Sequence, residues 1–369
     1  MINIVLVTTY PAHATKNIGD HLITNSLVEI LKDIVDCNIN LVWRGASWES
    51  VRDVVLSADH VFFAGFAIRR SLAEKQHPFM RQLIKSEIPF SVISAGTSFQ
   101  LNVDKLGFDR YDESTIALLK EIDKKAHVFS SRGALTHRFL KYAGCQNVIH
   151  GGDVAFYQKD RPSRFFDGSK PVKSVVISDP HRPEAFSSSF VFLAREVRKL
   201  FPHASLKVVI HSEGSEVVQI CKAEGLDFDE IYKRPESGLD IYQECDVHIG
   251  YRVHGHVSAL KNGKISYLLE QDGRGADYAL TLERKMSVAS FPKLGSKHGM
   301  SMLLSKLTRK RKSRARPVSI APAEQLISMI RSDMDFDFRR FKGMEEQVER
   351  FSAENYELVR QALSSSKLV

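Results

Sequence analysis

The chain has 369 residues, of which 43% are hydrophobic, and a formal charge of +8 at pH 7. One hydrophobic core rarely serves a chain of this length, so two domains are expected. Residues 306–316 contain seven of the 52 Lys and Arg residues and no acid, so the other 45 nearly balance the 44 acidic residues. This balance argues against general nucleic-acid binding, and no nucleic-acid partner is expected.

Cysteine usage and the N-terminus indicate the compartment. The four cysteines are far apart and form no C-x-x-C pair, which favours a reducing environment. The N-terminus lacks the features of a signal peptide, and no apolar run approaches the ~18 residues of a membrane span. We expect a cytoplasmic protein. The basic segment 306–316 has two open interpretations: a solvated linker, or a peripheral contact with an anionic membrane or an acidic polysaccharide.

The first part of the chain alternates short apolar runs with amphipathic segments, which is typical of βα units around a parallel sheet. We predict a doubly wound domain over residues 1–157. Its predicted strands are Ile4–Thr8, Ile39–Trp43, His60–Gly65, Phe90–Ala95, His127–Ser130 and Val148–His150, and its clearest helices are Asp20–Ile34 and Gly133–Tyr142.

A polar segment rich in charge, Pro and Gly follows at residues 158–172 and is predicted to link two domains. The alternation then restarts, which predicts a second doubly wound domain over residues 173–305. Its predicted strands are Ser174–Ser178, Leu206–His211, Val247–Gly250 and Ile265–Leu269, and its helices Ser189–Leu200, Glu213–Glu224, Leu239–Glu244 and His254–Lys261. Beyond the basic segment, residues 317–369 are predicted to form C-terminal helices, Pro317–Asp333 and Met344–Leu363.

The predicted fold class is therefore α/β, with two Rossmann-like doubly wound domains that face a cleft, followed by C-terminal helices. In such sheets, ligands bind at the carboxyl ends of the strands. Arg252 and His254 follow the predicted strand Val247–Gly250 and open a helix. Arg252 offers a forked cation for phosphate or carboxylate, and His254 can exchange a proton near neutral pH. The alternative is a surface ion pair and a capping histidine.

A second candidate is Arg132, which follows the predicted strand His127–Ser130 and precedes a helix. Free backbone amides after Ser131 are expected to add donors to an anion. A cap and a solvated charge explain the same residues equally well. Opposed across the cleft, Arg132 and Arg252 are expected to clamp an anion.

The remaining candidates are polar residues in loops at the same edges of the two sheets. Asn17, Gly19 and Asp20 open the first helix, where a glycine permits close approach and an acid can accept a hydroxyl or favour the helix dipole. Neither G-x-G-x-x-G nor a P-loop is present there, so nucleotide binding is not indicated. The other candidates are Asp153, for which a hinge turn is slightly favoured, and His181, Arg182 and Arg274.

Taken in order, four short motifs resemble the polysaccharide pyruvyl transferase family. They are Asn17-x-Gly19-Asp20, Ser131-Arg132 with Thr136, Gly152-Asp153-x-Ala155-Phe156 and Arg252-x-His254. The resemblance covers about residues 1–280 and implies a GT-B-like fold. It also implies transfer of the pyruvyl group of phosphoenolpyruvate to two hydroxyls of a sugar as a ketal. By the same resemblance Arg132, Arg252 and the Val253 backbone would bind the donor, and His254 would be the acid/base residue.

The resemblance implies a donor substrate and no cofactor, with a sugar, oligosaccharide or lipid-linked glycan as acceptor. Asp20 or Asp153 is expected to orient that acceptor. No metal is expected, because the sequence has no His/Cys/Asp cluster with metal-ligand spacing. Two other hypotheses stay open: a GT-B-type glycosyltransferase that uses a nucleotide sugar, and a non-catalytic assembly protein of the same fold that docks through residues 306–316.

Overall fold

The computed structural model describes residues 1–10, 16–98, 111–159, 168, 170–291 and 317–369. The basic segment 306–316 and most of the predicted linker 158–172 lie outside the described residues. The strands are β1 Ile2–Thr8, β2 Cys37–Trp43, β3 His60–Ala64, β4 Ala67–Ile68, β5 Phe90–Thr97, β6 Phe129–Ser131, β7 Ile149–His150, β8 Ser174–Ser178, β9 Ser205–Val209, β10 Asp227–Asp229, β11 Val247–Gly250, β12 Ile265–Glu270 and β13 Ser287–Ala289.

The α-helices alternate with these strands. They are α1 Ile18–Ile34, α2 Trp48–Leu56, α3 Met80–Ser86, α4 Glu113–Lys125, α5 Ala134–Tyr142, α6 Pro183–Leu200, α7 Ser215–Ala223, α8 Ile241–Glu244, α9 Val253–Lys261, α10 Gly273–Thr281, α11 Ala321–Met334 and α12 Met344–Ser365. None of the described helices is long and apolar enough to cross a membrane.

Both sheets are parallel, and their strand orders differ. The first has the order β2-β1-β3-β5-β6-β7, with β4 paired to β5, and the second has the order β10-β9-β8-β11-β12-β13. The first corresponds to a flavodoxin-like order and the second to the order of dinucleotide-binding domains. Successive strands are added first on one side of the initial strand and then on its other side. This change falls between β1 and β3 in the first sheet and between β8 and β11 in the second. The topology therefore puts a ligand-binding crevice at both points.

The C-terminal helices do not form a unit of their own. Helix α11 packs into the core of the second domain, where Leu326 and Ile330 are fully buried. Helix α12 returns to the first domain and shares a core with β1 and β3. Gly151 and Gly152 lie directly against this helix, since a Cβ at either would be 2.4 Å from a side-chain carbon of Leu358 or Phe351. The first domain is thus completed by the end of the chain.

Buried polar contacts hold the two domains together beside the cleft. Asp277 on α10 accepts hydrogen bonds from the backbone N–H groups of Leu135 (2.8 Å) and Thr136 (3.1 Å) at the start of α5. The hydroxyl of Thr281 accepts a hydrogen bond from the N–H group of Ala134, the residue before Leu135, at 2.8 Å. A helix of the second domain thus caps a helix of the first. This finding corrects the expectation that the amides after Ser131 are free for a ligand.

Candidate functional site

A cleft with a volume of ≈ 580 Å³ lies between the carboxyl ends of the two sheets. This volume is within the usual range for small-molecule sites. A smaller recess of ≈ 30 Å³, lined by Arg252 and His254 among others, adjoins it. The charged side chains that line the cleft are five arginines and two aspartates: Arg44, Arg69, Arg132, Arg182, Arg274, Asp20 and Asp272. The described lining is therefore strongly cationic, as a site for an anionic ligand requires.

Arg252 is held by a buried ion pair. Its Nε is 2.8 Å from Asp179 Oδ1 and its Nη2 is 2.5 Å from Asp179 Oδ2, with only 7% of Arg252 exposed. The same Nη2 donates to the Ser212 hydroxyl at 2.9 Å, and Nη1 is 3.3 Å from His181 Nδ1. The guanidinium thus contacts two residues that line the cleft, His181 through Nη1 and Ser212 through Nη2. This fork is rigid before any ligand binds.

A buried hydroxyl network fixes the backbone that carries Arg252. The Ser178 hydroxyl accepts hydrogen bonds from the N–H groups of Tyr251 and Arg252, both at 3.0 Å, and lies 2.9 Å from His248 Nε2. Because that hydroxyl already accepts two bonds, its proton goes to His248 Nε2. His248 Nδ1 then donates to Ser266 at 2.7 Å, which lies 2.7 Å from His256. His256 thus has a structural place in this network.

His254 lies at the point where α1 of the first domain meets α9 of the second. A Cβ at Gly19 would be only 2.2 Å from His254 Nδ1, so no other residue leaves room for this ring. Asn17 caps α1 by accepting the Gly19 N–H at 3.1 Å, which fixes the approach of the glycine. His254 Nε2 is buried and has no hydrogen-bond partner among the described residues. The motif that contains Gly19 and the motif that contains His254 therefore meet at the His254 imidazole.

The environment of His254 disfavours its charged form. Burial lowers the pKa of His254 to about 4; Asp153 opposes this shift, and Arg132, Arg274 and Arg252 add to it. The imidazole is therefore neutral at pH 7 in the ligand-free protein. An anion bound beside the three arginines would reverse part of the shift, since a nearby negative charge favours a protonated histidine.

Arg132 lies across the cleft, and 9% of the residue is exposed. Its Nη2 donates to the carbonyl oxygen of Thr97 at 2.8 Å, and its Nε is 3.7 Å from Asp277 Oδ2. Gly96 lies against the guanidinium, because a Cβ there would be 2.5 Å from Arg132 Cζ. Arg132 and Arg252 both lower the pKa of His254, and each already has an acidic neighbour.

Arg274 and Asp20 are both in the cleft. Arg274 forms a bidentate pair with Asp272, with Nη2 to Oδ2 at 2.6 Å and Nε to Oδ1 at 3.0 Å. Burial raises the pKa of Asp20, whereas Arg274, Arg44 and Arg69 lower it. Arg274 also lowers the pKa of His254. A carboxyl that burial pushes toward protonation suits a group that hydrogen-bonds a hydroxyl.

The other predicted residues differ in exposure. Asn17, His181 and Arg182 line the cleft, and Val253 lines the small recess. Asp153 is 2% exposed and is not among the residues that line the cleft. Its carboxylate accepts hydrogen bonds from the Ala155 N–H at 2.8 Å and from the Tyr278 hydroxyl. The expectation that Asp153 orients an acceptor directly is therefore wrong for this conformation, because its oxygens are used inside the protein.

The residues of the cleft that the sequence analysis missed include Trp43, Arg44 and Arg69. Trp43 is the last residue of β2 and Arg44 follows it. Arg132 was selected because it follows the carboxyl end of a predicted strand, and the same criterion would have selected Arg44. Arg69 follows β4, a strand of two residues that has no periodic signal.

The fold and the site together define a two-domain α/β protein of the GT-B type with an arginine-lined cleft, which confirms the predicted fold class. The family model for polysaccharide pyruvyl transferase matches residues 17–272. The chain therefore belongs to the polysaccharide pyruvyl transferase family, and the predicted resemblance is confirmed.

Several solved structures share the fold at low sequence identity. The S. aureus MnaA–UDP complex has a TM-score of 0.53 at 10% identity and covers 100% of this chain and 98% of its own. UDP-GlcNAc 2-epimerase from Neisseria meningitidis bound to UDP-GlcNAc has a TM-score of 0.51 at 9% identity, with 99% of each chain covered. Anabaena HepE in complex with UDP and glucose has a TM-score of 0.50 at 12% identity, covering 99% of this chain and 100% of its own. No curated protein matches the chain significantly.

Proposed function

We propose that this protein transfers the pyruvyl group of phosphoenolpyruvate to two hydroxyls of a sugar in a glycan acceptor, as a cyclic ketal. The observation that carries the proposal is a buried, unpartnered His254 Nε2 in a family member whose cleft is lined by arginines. Phosphoenolpyruvate brings a phosphate and a carboxylate, and several fixed cations are needed to bind both. Arg132, the Nη1 edge of Arg252, and Arg274 would supply them beside the Val253 backbone.

Protonation of the donor is the step that needs His254. A bound trianion raises the pKa of His254, so the imidazole takes up a proton when the donor binds. His254 then delivers this proton to the methylene carbon C3, and C2 becomes oxocarbenium-like. One sugar hydroxyl adds to C2 and returns its proton to His254. After this step His254 is protonated again, as it was before it gave its proton to C3.

Ketal formation completes the reaction. Phosphate leaves from C2, the second hydroxyl of the same sugar closes the ring, and the proton of that hydroxyl ends on the departing phosphate. Asp20 would accept a hydrogen bond from one of these hydroxyls. The fixed ion pairs of Arg252 and Arg274 would stabilise the leaving phosphate without reorganisation, which is the main source of electrostatic catalysis.

The test is release of phosphate from phosphoenolpyruvate in the presence of sugar acceptors, with the ketal product identified by mass spectrometry. His254→Gln should lower the rate by about 100-fold to 10,000-fold, the usual contribution of a general acid. His203→Ala, an exposed histidine outside the cleft, is the matched control and should retain full activity.

Binding assays address the alternatives directly. Phosphoenolpyruvate should raise the melting temperature of the protein, and Arg132→Ala and Arg252→Ala should abolish this shift. Stabilisation by a nucleotide sugar and not by phosphoenolpyruvate would overturn the proposal in favour of a glycosyltransferase. Unchanged phosphate release in both arginine variants would refute the assignment of the donor site.

A further inference from the structure

The arginines that line the cleft and the adjoining recess differ in whether an acidic side chain pairs with them. Arg132, Arg252 and Arg274 each lie within 4 Å of an aspartate of the second domain, namely Asp277, Asp179 and Asp272. Arg44 and Arg69 belong to the first domain and also line the cleft, with no ion pair to an acidic side chain among the described residues. Arg182 of the second domain also lines the cleft without such a pair among the described residues. On the first-domain side of the cleft, the uncompensated positive charge therefore belongs to Arg44 and Arg69.

The setting of Arg44 is electrostatically unfavourable without a ligand. Burial and the nearby Arg69 both lower the pKa of Arg44, and Asp20 is the acid that opposes them. The Nη1 atom of Arg44 is buried and has no hydrogen-bond partner in the described part of the chain. Asp20 interacts electrostatically with both arginines and also with Arg274. A guanidinium edge that is removed from water without an acceptor is normally completed by an anion.

The same part of the cleft offers an apolar surface. Trp43 is 41% exposed and lines the cleft beside Arg44. Its six-membered ring lies over Gly45, where a Cβ would be 2.8 Å from Trp43 Cζ2. An exposed indole face packs well against the C–H face of a sugar ring. Trp43 and the two arginines thus combine a surface for a sugar with a site for its charge.

We propose that Trp43, Arg44 and Arg69 form the acceptor subsite and that the acceptor carries a phosphate or diphosphate group, which the two arginines bind. This inference rests on the proposed function, because it assigns the three paired arginines to phosphoenolpyruvate. Two guanidinium groups that repel each other need a ligand with at least two negative charges, which a phosphate ester or a diphosphate supplies and a single carboxylate does not.

Isothermal titration of inorganic diphosphate into the protein saturated with phosphoenolpyruvate tests the subsite, because the donor then blocks the arginines around His254. The wild type should bind diphosphate under these conditions. Arg69→Gln and Arg44→Gln should each weaken that binding by about tenfold or more, the effect expected of one charge-assisted contact. Both should leave the affinity for phosphoenolpyruvate within about twofold. Arg69 is exposed, so its variant keeps the fold even if Arg44→Gln does not.

Arg70→Gln is the matched control, since Arg70 is the exposed neighbour of Arg69 and is not among the residues that line the cleft. It should bind diphosphate like the wild type. Absence of diphosphate binding, or binding that Arg69→Gln leaves intact, would overturn the subsite. Failure of phosphoenolpyruvate to bind the wild type would instead overturn the proposed function, so the two failures are distinguishable.

Discussion

The two sides of the cleft differ in how their charges are balanced. On the His254 side, Arg252 and Arg274 are locked in bidentate pairs with Asp179 and Asp272 before any ligand is present. On the Arg44 side, two neighbouring arginines share the influence of Asp20. The first side is preorganised and resembles a catalytic surface, in which fixed dipoles and charges need no reorganisation. On the second side one aspartate is shared between two arginines, so a bound anion would supply the remaining counter-charge.

This difference follows from the sheet topology. Register in the second sheet puts Gly250 of β11 beside Ser178 of β8, so the residues that follow these strands lie side by side. A Cβ at Gly250 would be 2.4 Å from Ser178 Oγ and 2.6 Å from the Ser178 carbonyl oxygen. This close approach lets the Ser178 hydroxyl receive the N–H groups of the next two residues. The switch point of the second sheet is consequently rigid at the backbone level.

The largest expected effect comes from breaking that rigidity. Asp179→Asn leaves the Arg252 guanidinium buried without a negative partner, which should lower the free energy of unfolding by about 3–5 kcal/mol. The measurement is urea denaturation at pH 7. The matched control is Glu283→Gln, which removes the acid of a pair with Arg350 at 2.7 Å, where the side chains are 62% and 50% exposed. In that variant the free energy of unfolding should fall by less than about 1 kcal/mol.

Equal losses in the two variants would mean that Asp179 and Arg252 contribute no more than a surface pair. The preorganised character of the His254 side would then have to be abandoned. A loss confined to Asp179→Asn would confirm that the Asp179–Arg252 pair stabilises the protein more than an exposed ion pair does.

The second effect concerns the contact between the domains. Gly19→Ala puts a Cβ where His254 Nδ1 now lies, at 2.2 Å, so the imidazole must move. A displacement of about 1 Å at a catalytic group can lower the rate about 100-fold. Phosphate release from phosphoenolpyruvate is the measurement. Gly214→Ala is the matched control, because a Cβ there has nothing within 4 Å, and it should retain full activity. Wild-type rates for Gly19→Ala would show that the position of His254 is not critical.

Much of this architecture is predictable from the sequence, because strands, helices and the polar residues at strand ends are encoded by patterns of neighbouring residues. Helix α9 was predicted from His254 and begins one residue earlier, and the strand Ser174–Ser178 was predicted with its observed bounds. The pairing of Arg252 with Asp179 was not predictable, since the two residues are 73 positions apart and meet only through strand register. Helix α12 was predicted with nearly correct bounds, but its return to the first domain depends on packing against Gly151 and Gly152.

The smallest effect is the dependence of donor binding on pH. Because the pKa of His254 is about 4 in the ligand-free protein, the ring is neutral at pH 7, and a bound trianion raises this pKa. Donor binding should therefore take up a proton at His254, and the affinity should rise as the pH falls from 7, by up to about tenfold per pH unit. For the ligand-free protein the sign is opposite: a folded pKa below the ordinary 6.5 means that stability falls as the pH drops from about 6.5 toward 4.

Titration calorimetry in two buffers of different ionisation enthalpy measures this proton uptake. His254→Gln is the comparison, since protons taken up by phosphoenolpyruvate itself are the same in both proteins and only the difference belongs to the histidine. An identical uptake in the two proteins would mean that the donor does not protonate His254. The His254 side would then bind the anion through its arginines alone, and the proton that reaches C3 would have to come from another group.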